Sequence, residues 1–262
     1  MPADPVETAA AEAAARSAEG DHLTALLHDA DEAVIRAALE NPHLHESHVC
    51  LVLERLDLSV SLLEAIGSNP QWLRSEAIRL RLARHPHTPQ RIAVPLVRQL
   101  FLFDLVTLSM LPSAPGDMRR LAQEAILTKI PQLPLGQKLT LARRGPARVA
   151  AALLLEGHPR GSACALQNPY LTESQILRVL ASPGVPERVV AAVAQDPKWS
   201  AQTNIRFALV RVASEVSAQI WDFLGGFSLA ELGDLVSLDQ LAPPIRSAIR
   251  REIAKRGISP AE

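Results

Sequence analysis

Apolar residues recur at spacings of three and four along most of the chain, in runs that end at prolines. In EAVIRAALENP, Val34, Ala37 and Ala38 fall near one face of a helix, and in LTESQILRVLASP Ile176 and Val179 do the same. Proline ends such a run because it lacks the amide N–H and disfavours the helical conformation of the residue before it. The pattern predicts about fifteen to eighteen short helices, which are unstable alone in water and must pack on their neighbours.

Two stretches of the chain are nearly the same. ALENPHLHES begins at residue 38 and ALQNPYLTES at residue 165, an offset of 165 − 38 = 127. Trp72 and Trp199 share that offset, and 16 of the 47 aligned positions between 38–84 and 165–211 are identical. A match of this length at one fixed offset indicates an internal duplication. Repeats within a chain are considered before other sequence signals, because they indicate a repeat architecture.

The repeated stretch, residues 38–47 and 165–174, has the composition of a turn that joins two helices, which we call a joint. Asn41 and Asn168 each precede a proline, and asparagine tolerates the left-handed conformation that often ends a helix. In the second copy Thr172 is expected to be the N-cap of the next helix, with Gln175 completing a capping box. The phrase is therefore interpreted as structural.

These residues resemble a known family. VIRAALENPHLHESHVCLVLERL and LRLARHPHTPQRIAVPL are similar to the leucine-rich repeat variant and related HEAT-like repeats, which run from arginine through apolar residues to Asn-Pro, Thr-Pro and a helix. The resemblance implies an all-α fold, a right-handed α-solenoid of short stacked helices, here in two tandem homologous halves. Such solenoids serve mainly as binding surfaces, so the resemblance implies little about activity.

The chain is expected to divide into three parts. Residues 1–20 are rich in Ala and Glu and poor in large apolar side chains, so a frayed helix or a disordered lead is expected there. The first half of the solenoid is placed at 21–130. The second half is placed at 131–262, continuous with the first.

Composition agrees with stacked helices and excludes some classes of partner. Hydrophobic residues make up 48% of the chain but aromatic residues only 3%, which is typical of close contacts between small aliphatic side chains. Lys and Arg number 27 against 28 Asp and Glu, so no overall field attracts nucleic acid or a membrane. The N-terminus lacks the pattern of an export signal, and Cys50 and Cys164 are too few for a disulfide framework. A cytoplasmic protein without a membrane span is expected.

One joint carries side chains that bind metals elsewhere. Imidazole and thiolate are good zinc or copper ligands, and four of them crowd this joint: His43, His45, His48 and Cys50. The second copy builds the same joint from Tyr170, Thr172, Gln175 and Leu177, which are not a zinc set. The prediction is therefore no metal and no cofactor, with a copy-specific site as the alternative.

Arginines provide the candidate binding residues. On a helix, Arg74, Arg81 and Arg84 fall near one face, a ridge suited to phosphates or to a carboxylate-rich partner. The full candidate set also includes the arginines that recur between the copies: Arg74, Arg79, Arg81, Arg84, Arg206 and Arg211. The alternative is that Arg79 and Arg206 are tethered to the preceding turn and the others are solvated.

No enzyme signature is found. The chain has no phosphate-binding glycine loop, no HExxH pair and no nucleophile elbow. The predicted function is a non-enzymatic scaffold that binds a protein or peptide on its concave face. The alternative is a nucleic-acid-binding HEAT-like protein, such as one related to DNA glycosylases, that uses a basic groove.

Overall fold

The computed structural model of the protein is all-helical. It describes residues 5–29, 31–238 and 240–257, with side chains from residue 9 onward. Over these residues the chain forms nineteen α-helices and two 3₁₀-helices, and no strand. The chain divides into two compact units, Met1–Lys129 and Ile130–Glu262.

The first unit contains nine α-helices and one 3₁₀-helix among its described residues. The 3₁₀-helix, Trp72–Arg74, lies between α5 and α6. The α-helices are α1 (Pro5–Ser17), α2 (Gly20–Leu26), α3 (Glu32–Leu39), α4 (Glu46–Val52), α5 (Val60–Gly67), α6 (Glu76–Arg84), α7 (Gln90–Gln99), α8 (Leu102–Met110) and α9 (Gly116–Lys129).

The second unit begins with a 3₁₀-helix, Ile130–Gln132, and continues with ten α-helices in its described part. These are α10 (Leu135–Arg144), α11 (Ala147–Leu155), α12 (Pro159–Leu166), α13 (Glu173–Leu180), α14 (Glu187–Gln195), α15 (Pro197–Ser200), α16 (Thr203–Val212), α17 (Ala218–Gly226), α18 (Leu229–Val236) and α19 (Pro243–Gly257).

Helices of the two units begin at the same offset as the repeated sequence. α4 begins at Glu46 and α13 at Glu173 (46 + 127 = 173), and α6 begins at Glu76 and α16 at Thr203 (76 + 127 = 203). The same sum relates the starts of α3 to α12, α5 to α14, α8 to α18 and α9 to α19. The offset found in the sequence is therefore also an offset between helix boundaries.

Within each unit, helices pack on near neighbours in the chain. In the first unit α1 packs on α3 and α3 on α5, whereas α4 packs on α6 and α6 on α8. In the second unit α10 packs on α12 and α12 on α14, whereas α11 packs on α13 and α13 on α16. Each unit has a row of helices that we call its second row. In the first unit it contains α4, α6 and α8, and in the second unit it contains α11, α13, α16 and α18.

Several helices begin at a serine whose hydroxyl caps the first turn. Ser75 Oγ accepts from the amide of Ile78 at 3.3 Å, which satisfies a donor that has no partner inside α6. Ser228 forms a full capping box with Glu231, whose carboxylate accepts from the Ser228 amide at 2.7 Å. Thr172 stands at the N-cap of α13 as expected, but its side chain makes no capping bond and the predicted box with Gln175 is absent.

The described part of the N-terminal segment is the helix α1, which packs on α3. Residues 1–4 lie outside the described part, and the frayed or disordered lead expected at 1–20 stays a prediction. Ala15 is fully buried and Ala18 is 6% exposed. The small alanine side chains permit a close approach between helices, and a side chain from the next joint fixes the end of α1.

That side chain is Asn41. Its Nδ2 donates to the carbonyl oxygens of Ala15 and Ala18 at 2.8 and 2.9 Å, and its Oδ1 accepts from the His43 amide at 2.8 Å. Asn41 is 4% exposed, and no described residue other than glycine has a positive φ, so the expected left-handed conformation is wrong. Asparagine stands here because its amide satisfies carbonyls at the end of a helix 26 residues earlier.

The second unit contains the same arrangement. Nδ2 of Asn168 donates to the carbonyl oxygens of Ala142 and Gly145 at 2.8 and 3.0 Å, and Oδ1 accepts from the Tyr170 amide at 2.8 Å. Each of these partners lies 127 residues after its counterpart in the first unit (15 + 127 = 142, 18 + 127 = 145, 43 + 127 = 170). A buried amide with three hydrogen bonds therefore fastens the corresponding joint in each unit.

Candidate functional site

Two of the six candidate arginines, Arg206 and Arg79, donate to carbonyl oxygens of the segment just before their own helix. Arg206 donates through Nε to the carbonyl oxygen of Ser200 at 2.7 Å and through Nη2 to that of Ala201 at 2.9 Å. Arg79 donates through Nη1 to the carbonyl oxygen of Leu73 at 2.9 Å and also pairs with Glu76. These guanidiniums cap the short helix before α16 or α6, which is the tethered arrangement considered as the alternative.

The other candidates of the first unit lie in different surroundings. Arg74 is exposed at the end of the 3₁₀-helix, and Arg84 is half-buried in the last turn of α6. Arg81 reaches across to Glu54, which follows α4, with Nη2 3.4 Å from Oε1. The sequence predicts one ridge of Arg74, Arg81 and Arg84, whereas the structure places Arg74 on the 3₁₀-helix and the other two on α6, each in a separate environment.

The second unit has an open groove along its second row. It lies across α13, α16 and α18, has a volume of about 560 Å³, and is called here the α13/α16 groove. Phe207, in its floor, packs on the buried Phe227 with 4.5 Å between ring centroids. The lining residues are Leu177, Arg178, Ala181, Asn204, Phe207, Ala208, Arg211, Leu235 and Leu238.

Two arginines supply the charge of this groove. Arg178 and Arg211 are exposed, and within the described residues neither guanidinium makes a hydrogen bond or an ion pair. Among the described residues no acidic side chain lines the groove; Glu173 stands beside it and accepts from the Asn204 amide at 2.8 Å. The groove thus presents an apolar floor with two guanidiniums that have their donors available for a carboxylate or phosphate.

The corresponding surface of the first unit carries an ion pair. Ala181 and Ala208 of the groove correspond to Glu54 and Arg81 (54 + 127 = 181, 81 + 127 = 208). In the first unit this pair therefore joins α6 to the end of α4 where the second unit has two methyl groups. The two units differ in their groove residues although their joints are alike.

Sequence reasoning found Arg211 and missed Arg178. Arg211 was noticed because Arg84 stands at the same place in the first copy (84 + 127 = 211). Arg178 corresponds to Leu51, so recurrence between the copies gives no signal for it. Comparing the surface positions at which the copies differ would have drawn attention to Arg178, because an arginine replaces a leucine there.

The histidines at the first joint have structural partners, and the cysteine is partly buried. His48 Nδ1 accepts from the His45 amide at 3.0 Å, and the two rings stack with centroids 5.7 Å apart. His43 Nε2 lies 3.1 Å from a carboxylate oxygen of Glu19. Burial raises the pKa of the Cys50 thiol, which disfavours the thiolate. Across the described residues no three side chains of His, Cys, Asp or Glu are grouped to hold a metal ion.

The second joint of the first unit contains a buried histidine. His85 is 3% exposed, its Nε2 donates to the Arg55 carbonyl oxygen at 2.7 Å, and its Nδ1 accepts from the His87 amide at 3.2 Å. Burial lowers the pKa of His85, since the charged form is poorly solvated there. With one nitrogen donating and the other accepting, the neutral ring fits this position.

The repeated tryptophan serves packing in the second unit. Trp199 is 2% exposed, and its indole Nε1 donates to the Leu166 carbonyl oxygen at 3.0 Å. Trp72 is partly buried against the core of the first unit. Buried tryptophans of this kind fill the space between helices and are not available for stacking on a partner.

Comparison with known proteins gives no relative from which to assign the site: no family model, no curated protein and no solved structure matches the chain. None of the helices in the described part of the chain is both long enough and apolar enough to cross a membrane.

Proposed function

We propose that the protein is a non-enzymatic scaffold that binds a protein segment carrying apolar and acidic side chains in the α13/α16 groove. The observation that carries the proposal is the pairing of an apolar floor with Arg178 and Arg211, whose guanidiniums have no partner in the described chain. Arginine binds carboxylates through two parallel hydrogen bonds, and side chains such as leucine would cover the floor.

The proposed architecture is a right-handed α-solenoid made of two tandem copies, as in leucine-rich repeat variant and HEAT-like proteins. Packing between near neighbours in each unit supports this, since a solenoid element contacts only adjacent elements. The hydrogen bonds of Asn41 span 23 and 26 residues, and the indole bond of Trp199 spans 33. Hydrogen bonds between residues about one helical repeat apart in the sequence are typical of stacked helical repeats.

A selection from a random peptide library tests the proposed function. Wild-type protein should enrich peptides in which acidic residues adjoin large apolar ones. Those peptides should lose binding to the double variant Arg178→Glu/Arg211→Glu, because the new carboxylates repel theirs. Arg160→Glu changes an exposed arginine on α12 away from the groove and is the matched control, which should bind as the wild type does.

Two results would contradict this proposal. One is the absence of any enriched peptide, and the other is equal binding of the enriched peptides to the wild type and to the double variant. Circular dichroism of each variant separates loss of binding from loss of fold.

Nucleic acid remains the second candidate because guanidiniums also bind phosphates. Phosphate contacts release counterions, so affinity for a labelled single-stranded oligonucleotide would fall steeply with salt. A groove with an apolar floor should instead retain much of its peptide affinity when salt is raised. Salt titrations of both probes against wild type and Arg178→Glu/Arg211→Glu distinguish the two functions.

A further inference from the structure

The α13/α16 groove continues around the ends of the helices that form it. A second groove of about 560 Å³ shares Ala181 and Arg211 with it and is also lined by Gly184 and Leu241. We call this the edge groove. It lies at the C-terminal ends of α13 and α16 and leads away from the second row.

The edge groove in turn opens into a cleft between α14, α16 and α17. This far cleft has a volume of about 500 Å³ and shares Val185, Val212, Ala213 and Ser214 with the edge groove. Its lining also includes the apolar Val190, Leu209 and Ile220. Each of the three spaces shares lining residues with the next, so they adjoin one another, and we call them together the trough of the second unit.

The two ends of the trough carry opposite charge. Glu187 and Glu215 line the far cleft, and no Lys, Arg or His of the described chain does. Glu187 accepts from the Ser214 hydroxyl at 2.9 Å, whereas Glu215 is exposed and makes no hydrogen bond or ion pair within the described chain. At the other end, the described lining of the α13/α16 groove includes Arg178 and Arg211 and no acidic residue.

The first unit has side chains where the far cleft is open. Val212 and Ser214 correspond to His85 and His87, whose rings bind the carbonyl oxygens of Arg55 and Leu58. Two imidazoles therefore stand at this place in the first unit, and the ion pair between Glu54 and Arg81 stands at the place that corresponds to the other end.

We propose that the trough binds one extended polypeptide segment in a fixed direction, with acidic side chains at the α13/α16 groove and basic side chains at the far cleft. The inference rests on the proposed peptide-binding function and adds the basic end and the direction. Apolar residues of the segment would lie along the shared floor. Opposite charges at its two ends would disfavour the reversed orientation, because each end would then meet a like charge.

The test uses peptides enriched by wild-type protein in the library selection. We expect basic residues to stand always on the same side of the acidic ones, separated by apolar positions. Replacing the basic residues of such a peptide by glutamine should weaken its binding to wild type roughly 3- to 10-fold, in line with partly exposed ion pairs. The same replacement should have little effect on binding to Glu187→Gln/Glu215→Gln, because the partner charges are already removed.

A control variant and a reversed peptide complete the experiment. Asp222→Asn removes an exposed acid of α17 that does not line the cleft, and it should leave the effect of the basic residues unchanged. A peptide with the order of its residues reversed should bind less tightly than the parent.

The outcomes separate the two proposals. If enriched peptides need Arg178 and Arg211 but show no basic end, or if neutralising the basic residues weakens binding to wild type and to the Glu187→Gln/Glu215→Gln variant alike, peptide binding stands and the directional trough is wrong. If no peptide is enriched, or if Arg178→Glu/Arg211→Glu binds as the wild type does, both proposals fail.

Discussion

The Arg206 guanidinium donates through Nε to the carbonyl oxygen of Ser200, 2.7 Å away, and thereby fixes the end of α15 against α16. Arg211, on the same helix, makes no such bond. The two arginines have the same chemistry and lie five residues apart (211 − 206 = 5), but one is engaged with the backbone and the other faces a groove.

Replacing these arginines by lysine should separate the two roles. Arg206→Lys removes the planar fork that reaches two carbonyl groups, so the free energy of unfolding should fall by about 1–2 kcal/mol. Arg211→Lys should change it by less than about 0.5 kcal/mol, because an exposed side chain is altered. Urea unfolding followed by circular dichroism measures both; a loss for Arg206→Lys below about 0.5 kcal/mol would show that Arg206 is not a structural residue.

The buried asparagine at each joint should be sensitive to a single-atom change. Asn168→Asp replaces the donor nitrogen by oxygen and places a carboxyl group beside the Ala142 and Gly145 carbonyl oxygens. We expect a loss of roughly 2–4 kcal/mol in unfolding free energy at neutral pH, since both hydrogen bonds are lost and a buried acid is introduced. Asn41→Asp should behave alike, because its partners occupy the corresponding positions.

Asn204→Asp is the matched control for this substitution. Asn204 is exposed and bonds only to Glu173 among the described residues, so the effect should stay below about 1 kcal/mol. Chemical denaturation of the three variants gives the comparison. A cost for Asn168→Asp no larger than that of the control would contradict the role assigned to the joint.

His85 should make stability depend on pH. Because burial lowers its pKa in the folded state, the unfolded chain binds the proton more readily. The stability due to neutral His85 is therefore fully present above the free-histidine pKa of about 6.5 and is lost as the pH falls from there towards the lower folded-state pKa. One such group changes the unfolding free energy by at most about 1.4 kcal/mol per pH unit.

The variant His85→Gln tests that dependence. Glutamine retains a donor for the Arg55 carbonyl oxygen but does not titrate, so the decline in stability between pH 7 and pH 5 should be shallower than in the wild type. His22→Gln removes an exposed histidine and serves as the control. An unchanged slope in His85→Gln would mean that His85 does not contribute to the pH dependence.

Opening the first unit should create a new binding surface. The double variant Glu54→Ala/Arg81→Ala removes the ion pair that stands where the second unit has two alanines. The stability cost should be below about 1 kcal/mol, since both side chains reach solvent. Combined with Arg178→Glu/Arg211→Glu, it should recover part of the binding of acidic peptides, measured by fluorescence anisotropy, through Arg84. If binding does not recover, removing the ion pair alone does not enable the first unit to bind acidic peptides.

The sequence predicts the helices better than it predicts their surfaces. Proline and the phrase around Asn41 mark where helices end, because these residues act locally through the backbone. The sequence gives little signal for the burial of Ala15, since alanine contributes little to an apolar pattern, whereas its small size allows close packing. The residue that binds the end of α1, Asn41, lies outside the segment.

The site was predictable only in part. Arg79, Arg206 and Arg211 look alike in the sequence because recurrence marks structural and exposed residues equally. The carbonyl oxygens that engage the first two belong to the backbone and have no sequence signature. Arg178 gave no signal by recurrence, and the opening between Ala181 and Ala208 depends on the absence of side chains, which only the packing reveals.

The amide of Asn41 lies 23 and 26 residues beyond the carbonyl groups that it binds. On a ribosome, α1 is therefore made before the residue that completes its C-terminal end, and the same delay applies to α10 and Asn168. In a growing chain, each joint can therefore form only after the next two helices have been synthesised. A truncation just before Asn41 would consequently remove the hydrogen bonds that complete the C-terminal end of α1, although α1 itself would be present in full. A truncation just before Asn168 would do the same to α10.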